Sequence, residues 1–128
     1  MSASTAEDPW LARFLAPRHA LAECAIIQWQ GVGDADTPGE DAHCRIHLAC
    51  EQEDNERRIV AAAFAAFGPP VVVACADWLC EQLRDRTIND ARSLKLRDIE
   101  QALALAPGER YAALLAIDAL ASALGNLG

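Results

Sequence analysis

From His43 onward the hydrophobic and polar positions alternate. Cys44, Ile46, Leu48 and Cys50 fall on one side, and His43, Arg45 and His47 on the other. That period of two belongs to a half-buried strand. Apolar runs over residues 25–29 and 59–67, the second ending at Gly68, predict two more strands. Gly31-Val32-Gly33 with the acidic stretch 34–41 predicts the first connecting turn, and the polar stretch 51–56 the second. Connections this short imply an antiparallel meander. After Pro69-Pro70 the period turns helical, with Val72, Val73, Ala76, Leu79, Cys80 and Leu83 on one face. Pro70 suits a first helical turn, where its missing N–H has no partner to lose. Thr87 is positioned to cap a short helix through Ala91, residues 96–105 predict another, and Pro107-Gly108 precedes an Ala/Leu-rich helix from about 109 to 124. Ahead of the strands, Asp8-Pro9 followed by Trp10, Leu11, Phe14 and Leu15 predicts a short helix over about 8–16. A block of strands followed by a block of helices defines an α+β class. The expected architecture is a three-stranded antiparallel sheet over about 25–67 with helices, about 70–126, packed on one face, as a single domain over 1–128.

Composition narrows the partners. Of 128 residues, 52% are hydrophobic and 23% charged, which is a folded domain. Nineteen acidic residues against eleven basic ones give a net charge of -8. Phosphate backbones and anionic lipid surfaces repel such a chain, so neither nucleic acid nor membrane is an expected partner. The apolar stretch 111–124 is broken by Asp118 and Ser122 and is too short to cross a bilayer. The acidic N-terminus lacks the basic and apolar regions of an export signal, so a cytoplasmic location is expected. Five cysteines (Cys24, Cys44, Cys50, Cys75, Cys80) with no C-x-x-C spacing read as reduced thiols. Cys44, Cys50 and Cys80 are expected to be buried as small hydrophobes.

Local motifs carry little chemistry. His43 and His47 on one strand stand about 13 Å apart, too far for one metal ion, and read as solvated strand positions. Gly31-Val32-Gly33 lacks the third glycine of a phosphate loop. Gly68-Pro69-Pro70 has lost two amide donors and makes no anion nest. Glu40 and Asp41 have no nucleophile spaced to accompany them. No catalytic centre emerges, and the protein is not expected to be an enzyme.

Four passages, in order along nearly the whole chain, resemble the iron–sulfur cluster scaffold family of IscU-like and NifU N-terminal-like domains. Ala16-Pro17-Arg18-His19 is similar to the family's Asn-Pro-Arg-Asn. The run from Arg58 to Gly68 resembles its Gly-Arg-Ile-x-x-Ala-x-Phe-x-x-Phe-Gly strand, Thr87 to Ala91 its Thr-hydrophobic-Asp-Glu-Ala helix, and Ala116 to Leu120 the end of its last helix. The resemblance implies the same α+β fold. In the family three cysteines, with an Asp near the first and a His before the third, hold a cluster or zinc. Here the matching positions are Glu40 and Ala42 within Gly39-Glu40-Asp41-Ala42, Pro69 within Gly68-Pro69-Pro70, and Tyr111-Ala112. Cys75 lies about two turns beyond the loop and does not replace the missing thiolate. The family's Leu-Pro-Pro-Val-Lys chaperone segment reads Leu105-Ala106-Pro107-Gly108-Glu109, so docking of the specialised Hsp70 is not implied.

These departures imply a protein-interaction subunit in metallocluster biogenesis or in a larger complex, with no cofactor. Its partners would be proteins such as a cysteine desulfurase, a metalloenzyme or other assembly components. Two alternatives stay open. Glu40, Asp41 and Tyr111 would hold metal weakly through oxygen in a divergent scaffold or iron carrier, or Glu40 or Asp41 with Tyr111 would serve as base and acid in a small enzyme. Ala61, Ala63 and Ala65, where related scaffolds carry polar residues, suggest a sheet face covered by a partner. On that reading Ala63→Glu would weaken association and leave the monomer folded.

Overall fold

The computed structural model describes residues 9–21, 28–37 and 41–127. Among them the order is α1 (Leu11–Leu15), β1 (Gly31–Thr37), β2 (Ala42–Glu53), β3 (Glu56–Phe67), α2 (Pro70–Leu83), α3 (Ile88–Arg92), α4 (Leu96–Leu103), a 3₁₀ turn (Pro107–Glu109) and α5 (Arg110–Gly125). The strands form one antiparallel sheet in the order β1-β2-β3. Cys44, Ile46, Leu48 and Cys50 of β2, with Ile59, Ala62 and Phe64 of β3, point into the core that α2 and α5 close. The expected class and sheet are those found.

The first strand is not where apolar runs placed it. Residues 25–27 of the expected strand lie outside the described residues, and Gln28 and Trp29 are not in a strand. The strand is Gly31–Thr37, which had read as a turn. Its glycines are required by α5, not by a turn. A Cβ on Gly33 would sit 2.0 Å from the Ala123 nitrogen and 2.7 Å from the Ala119 oxygen; one on Gly31 would sit 2.6 Å from the Ala123 oxygen. Backbone therefore packs on backbone, and Ala119 and Ala123 supply the matching small residues on α5. The amide of Asn126 donates to the Val32 carbonyl at 2.8 Å and pins the helix end to the same strand. Asp34 and Asp36 hold the strand to β2, Asp34 through an ion pair with Arg45 and both through contacts with the His43 ring nitrogens.

The second connection is tighter than the polar stretch suggested. β2 runs on to Glu53 and β3 begins at Glu56, with Asp54 at φ 52° in the turn. A bulge at Ala49/Cys50 is stapled by Gln30, whose side chain accepts from the Cys50 amide at 2.8 Å and donates to its carbonyl. Thr87 caps α3 as expected, accepting from the Asp90 amide. α4 stops at Leu103, short of 105, because Ala104 turns to φ 50°.

The outer sheet face corrects two expectations. His47 is 9% exposed, not solvated, and Trp29 stands edge-on to it with ring centroids 5.5 Å apart. Ala63, directly across the ladder from His47, is 0% exposed. It therefore has no surface to give a partner, and a charge there would be buried within the monomer itself, so Ala63→Glu would unfold the chain. Of the alanine strip, Ala65 is exposed and Ala61 half-buried.

Candidate functional site

Three chain segments meet at the pole where β3 ends and α2 and α5 begin. Gly68 adopts φ +126°, and a Cβ on it would lie 2.8 Å from the Ala42 Cβ, so the start of β2 packs against the loop before α2. Pro69 takes the extended N-cap position (φ -57°, ψ 150°) and Pro70 the first helical one. Two consecutive prolines make this loop stiff, since each fixes φ. Beneath it Ala42, Val71, Cys75 and Ala112 are all buried in one apolar cluster. Tyr111 is half-buried beside that cluster and Asp41 is exposed at φ 52°. Glu40 lies outside the described residues. Thus Ala42 and Gly68-Pro69 are brought together, with Ala112 in the same core, but their side chains offer no donor atom. Among the described residues no three His, Cys, Asp or Glu side chains group as metal ligands.

Two of the buried thiols, Cys44 and Cys75, lie just inside this pole. Cys44 and Cys80 are fully buried and Cys50 nearly so, as expected; Cys75 is fully buried as well, and Cys24 lies outside the described residues. Burial pushes the Cys44 and Cys75 thiols up to about 12, with the Asp34 charge adding for Cys44 and those of Cys44 and Glu109 for Cys75. Burial also raises the Cys50 thiol. Since the thiolate is the metal ligand and the nucleophile, these cysteines are packing groups at neutral pH. An iron–sulfur cluster, which requires soft anionic sulfur, does not fit the described donor set. Above the thiols, Trp10 donates through Nε1 to Glu109 at 3.2 Å, tying the N-terminal segment to the start of α5.

Asp77 was not among the expected site residues. It sits on the apolar face of α2 and is 0% exposed. Its Oδ1 accepts from the backbone amides of Arg18 and His19, both at 2.8 Å, and its Oδ2 binds Arg13 Nη1 at 2.8 Å. Arg13 also reaches Glu81 at 3.0 Å. The signal for this clamp was one acid inside a run of apolar helix positions. It holds the segment that leads to His19, whose carbonyl accepts from the Phe64 amide at the edge of β3.

His43 carries carboxylates on both ring nitrogens: Asp36 at 2.7 Å on Nδ1 and Asp34 at 2.9 Å on Nε2. It stacks on the exposed Phe67, with centroids 5.7 Å apart. His47, four residues on, has neither ring nitrogen hydrogen-bonded. Burial, then Arg45, lowers its pKa, against a smaller opposing pull from Asp34; burial likewise lowers His19. The unfolded chain therefore takes up these protons first as pH falls through about 6.5. Proton uptake then favours unfolding. Stability should be fully present above about pH 6.5 and decline below it, with His47→Phe showing a flatter decline. Urea midpoints at neutral and mildly acidic pH measure this; parallel profiles for the two proteins would contradict it.

Comparison with known proteins bears on the whole chain. The sequence profile of the NifU-like N-terminal domain matches residues 8–127. The iron-sulfur cluster assembly enzyme IscU of Drosophila melanogaster is 33% identical over 73 residues, 57% of this chain and 47% of that protein. The match thus spans about half the length of that relative. Among solved structures, a putative iron-sulfur cluster assembly scaffold protein for the SUF system from Fervidobacterium islandicum AW-1 superposes with a TM-score of 0.72 at 13% identity, covering 93% of this chain and 96% of its own. A hypothetical protein superposes at 0.65 and 13% identity, covering 91% and 94%. At such identities these structures speak to the fold. Among the described residues no helix is long and apolar enough to cross a membrane.

Proposed function

The chain belongs to the NifU-like N-terminal domain family, and from that premise we propose that it is a member that has given up the cluster and kept the fold for binding proteins. The observation that carries this reading is the pole where the family's ligands would converge. Of the residues matched to those ligands, Ala42, Pro69 and Ala112 offer no donor atom, and the thiols of Cys44 and Cys75 are buried with their protons held on. The stiff Pro69-Pro70 start of α2 supports the same reading, because accepting and releasing a cluster asks for a mobile loop. Glu40 and Tyr111 at the remaining matching positions are oxygen donors, poorly suited to sulfide-bridged iron. The protein acts as a non-enzymatic subunit of metallocluster biogenesis or of a larger complex, and a cysteine desulfurase is the first partner to test. Mixed with a desulfurase and cysteine, the chain is expected to co-elute with the enzyme while its thiols gain no persulfide sulfur. Sulfur on Cys44 or Cys75, read by mass spectrometry under native conditions, would contradict the proposal.

A further inference from the structure

The opposite pole carries a second feature. Two cavities lie side by side where the β2–β3 turn, α3 and the last turns of α5 meet, their α5 lining roughly 8–20 Å along the helix from Ala112. The first, about 340 Å³, is polar: Asn55, Asn89, Arg57 and Arg92 line it, with Glu56 as its carboxylate. The second, about 290 Å³, is apolar and runs between Leu94 on one side and Ile117 and Leu120 of α5 on the other. Arg92 and Leu124 line both, so the two are lobes of one groove. Arg92 is exposed, and its guanidinium makes no hydrogen bond or ion pair among the described residues. Arg13, Arg45, Arg58 and Arg110, by contrast, are each engaged by a carboxylate. In a chain of net charge -8, the Arg92 guanidinium at the edge of an apolar trough, with no acidic partner among the described residues, runs against the overall charge.

We propose that this groove binds a segment of a partner protein in which a bulky apolar side chain lies next to a carboxylate, the side chain seated between α3 and α5 and the carboxylate on Arg92. Charge complementarity selects the acid, because a planar guanidinium offers a carboxylate two parallel donors. The form of the groove selects a peptide over a lipid. Both lobes open along the surface, whereas small-ligand sites enclose most of the molecule they hold. An extended or helical segment needs a trough for alternate apolar anchors with polar groups at the rim, which is what these lobes provide. The proposal is independent of whether the other pole holds a cluster.

The test titrates the isotopically labelled full chain with the capped pentapeptide Ser-Leu-Leu-Glu-Ser and with its Glu-to-Gln analogue, followed by amide NMR. The acidic peptide should shift resonances of α3 and the C-terminal half of α5. The analogue should bind at least about fivefold more weakly, the size of one modest ion pair. Arg92→Gln should abolish that difference, and Ala121→Trp, which fills the apolar lobe from an exposed position, should weaken both peptides. Dispersed spectra of both variants establish that they are folded. Equal binding of the two peptides, a difference that survives in Arg92→Gln, no shifts at millimolar peptide, or tighter binding of octanoate than of the peptide would each overturn the proposal.

Discussion

Gly33→Ala is expected to cost at least about 3 kcal/mol, enough to unfold much of a domain of ordinary stability. The methyl group has nowhere to go. Its position lies 2.0 Å from the Ala123 nitrogen and 2.5 Å from the Ser122 carbonyl carbon, both backbone atoms of α5. Relief requires lifting α5 from β1, which would open a gap along Ala119 and Ala123 and lose contact there. Gly108→Ala is the control, since a Cβ there meets nothing within 4 Å, and its effect should stay within about 0.5 kcal/mol. Denaturant midpoints of the two variants decide the matter. Equal midpoints would mean that α5 does not rest on β1.

The second large effect is at Asp77. Asp77→Ala leaves the Arg18 and His19 amides without their acceptor and Arg13 with Glu81 alone. Truncating the acidic member of a buried, hydrogen-bonded pair costs about 3–5 kcal/mol. A loss at the low end should lower the melting temperature by on the order of 10 °C. Asp77→Asn retains an acceptor for the amides and should recover a substantial part. Arg13→Ala, which leaves those two hydrogen bonds intact but removes the cation, should cost less, about 2 kcal/mol, the size of one hydrogen bond to a charged group. Indistinguishable melts for Asp77→Ala and Arg13→Ala would show that the backbone clamp carries no stability.

These two residues also show where the pattern of the chain stops being informative. β2 and α2 were legible because each buries one face, and burial of one face writes a period of two or of 3.6 into the residues. β1 was not. Gly31, Gly33, Asp34 and Asp36 resemble a turn because the strand is set by things far away in sequence: the α5 backbone that requires glycine, and Arg45 and His43 across the ladder. Strand propensity is overridden by such tertiary context. Asp77 was hidden for a related reason, since its partners lie about sixty residues away on α1 and the segment after it. The buried state of Cys44, Cys50 and Cys80 was legible from alternation and helical spacing, whereas the closure over His47 and Ala63 belongs to the outer face, where the local pattern predicts solvent. At the candidate site the positions follow from the resemblance to the scaffold family, not from the local pattern. The structure adds that Ala42 and Gly68 touch and that the nearby thiols are buried.

Anaerobic incubation of the purified, reduced chain with ferrous iron and sulfide tests the central claim most directly. The alanine and proline side chains matched to the family's ligands offer no donor atom, and thiols pushed up to about 12 do not ionise to gather around exposed iron without opening the core. After desalting, the folded protein is expected to show no visible charge-transfer absorbance and no stoichiometric iron or sulfide. A stoichiometric cluster on folded protein, lost on replacing Cys75 or Cys24, would contradict the account.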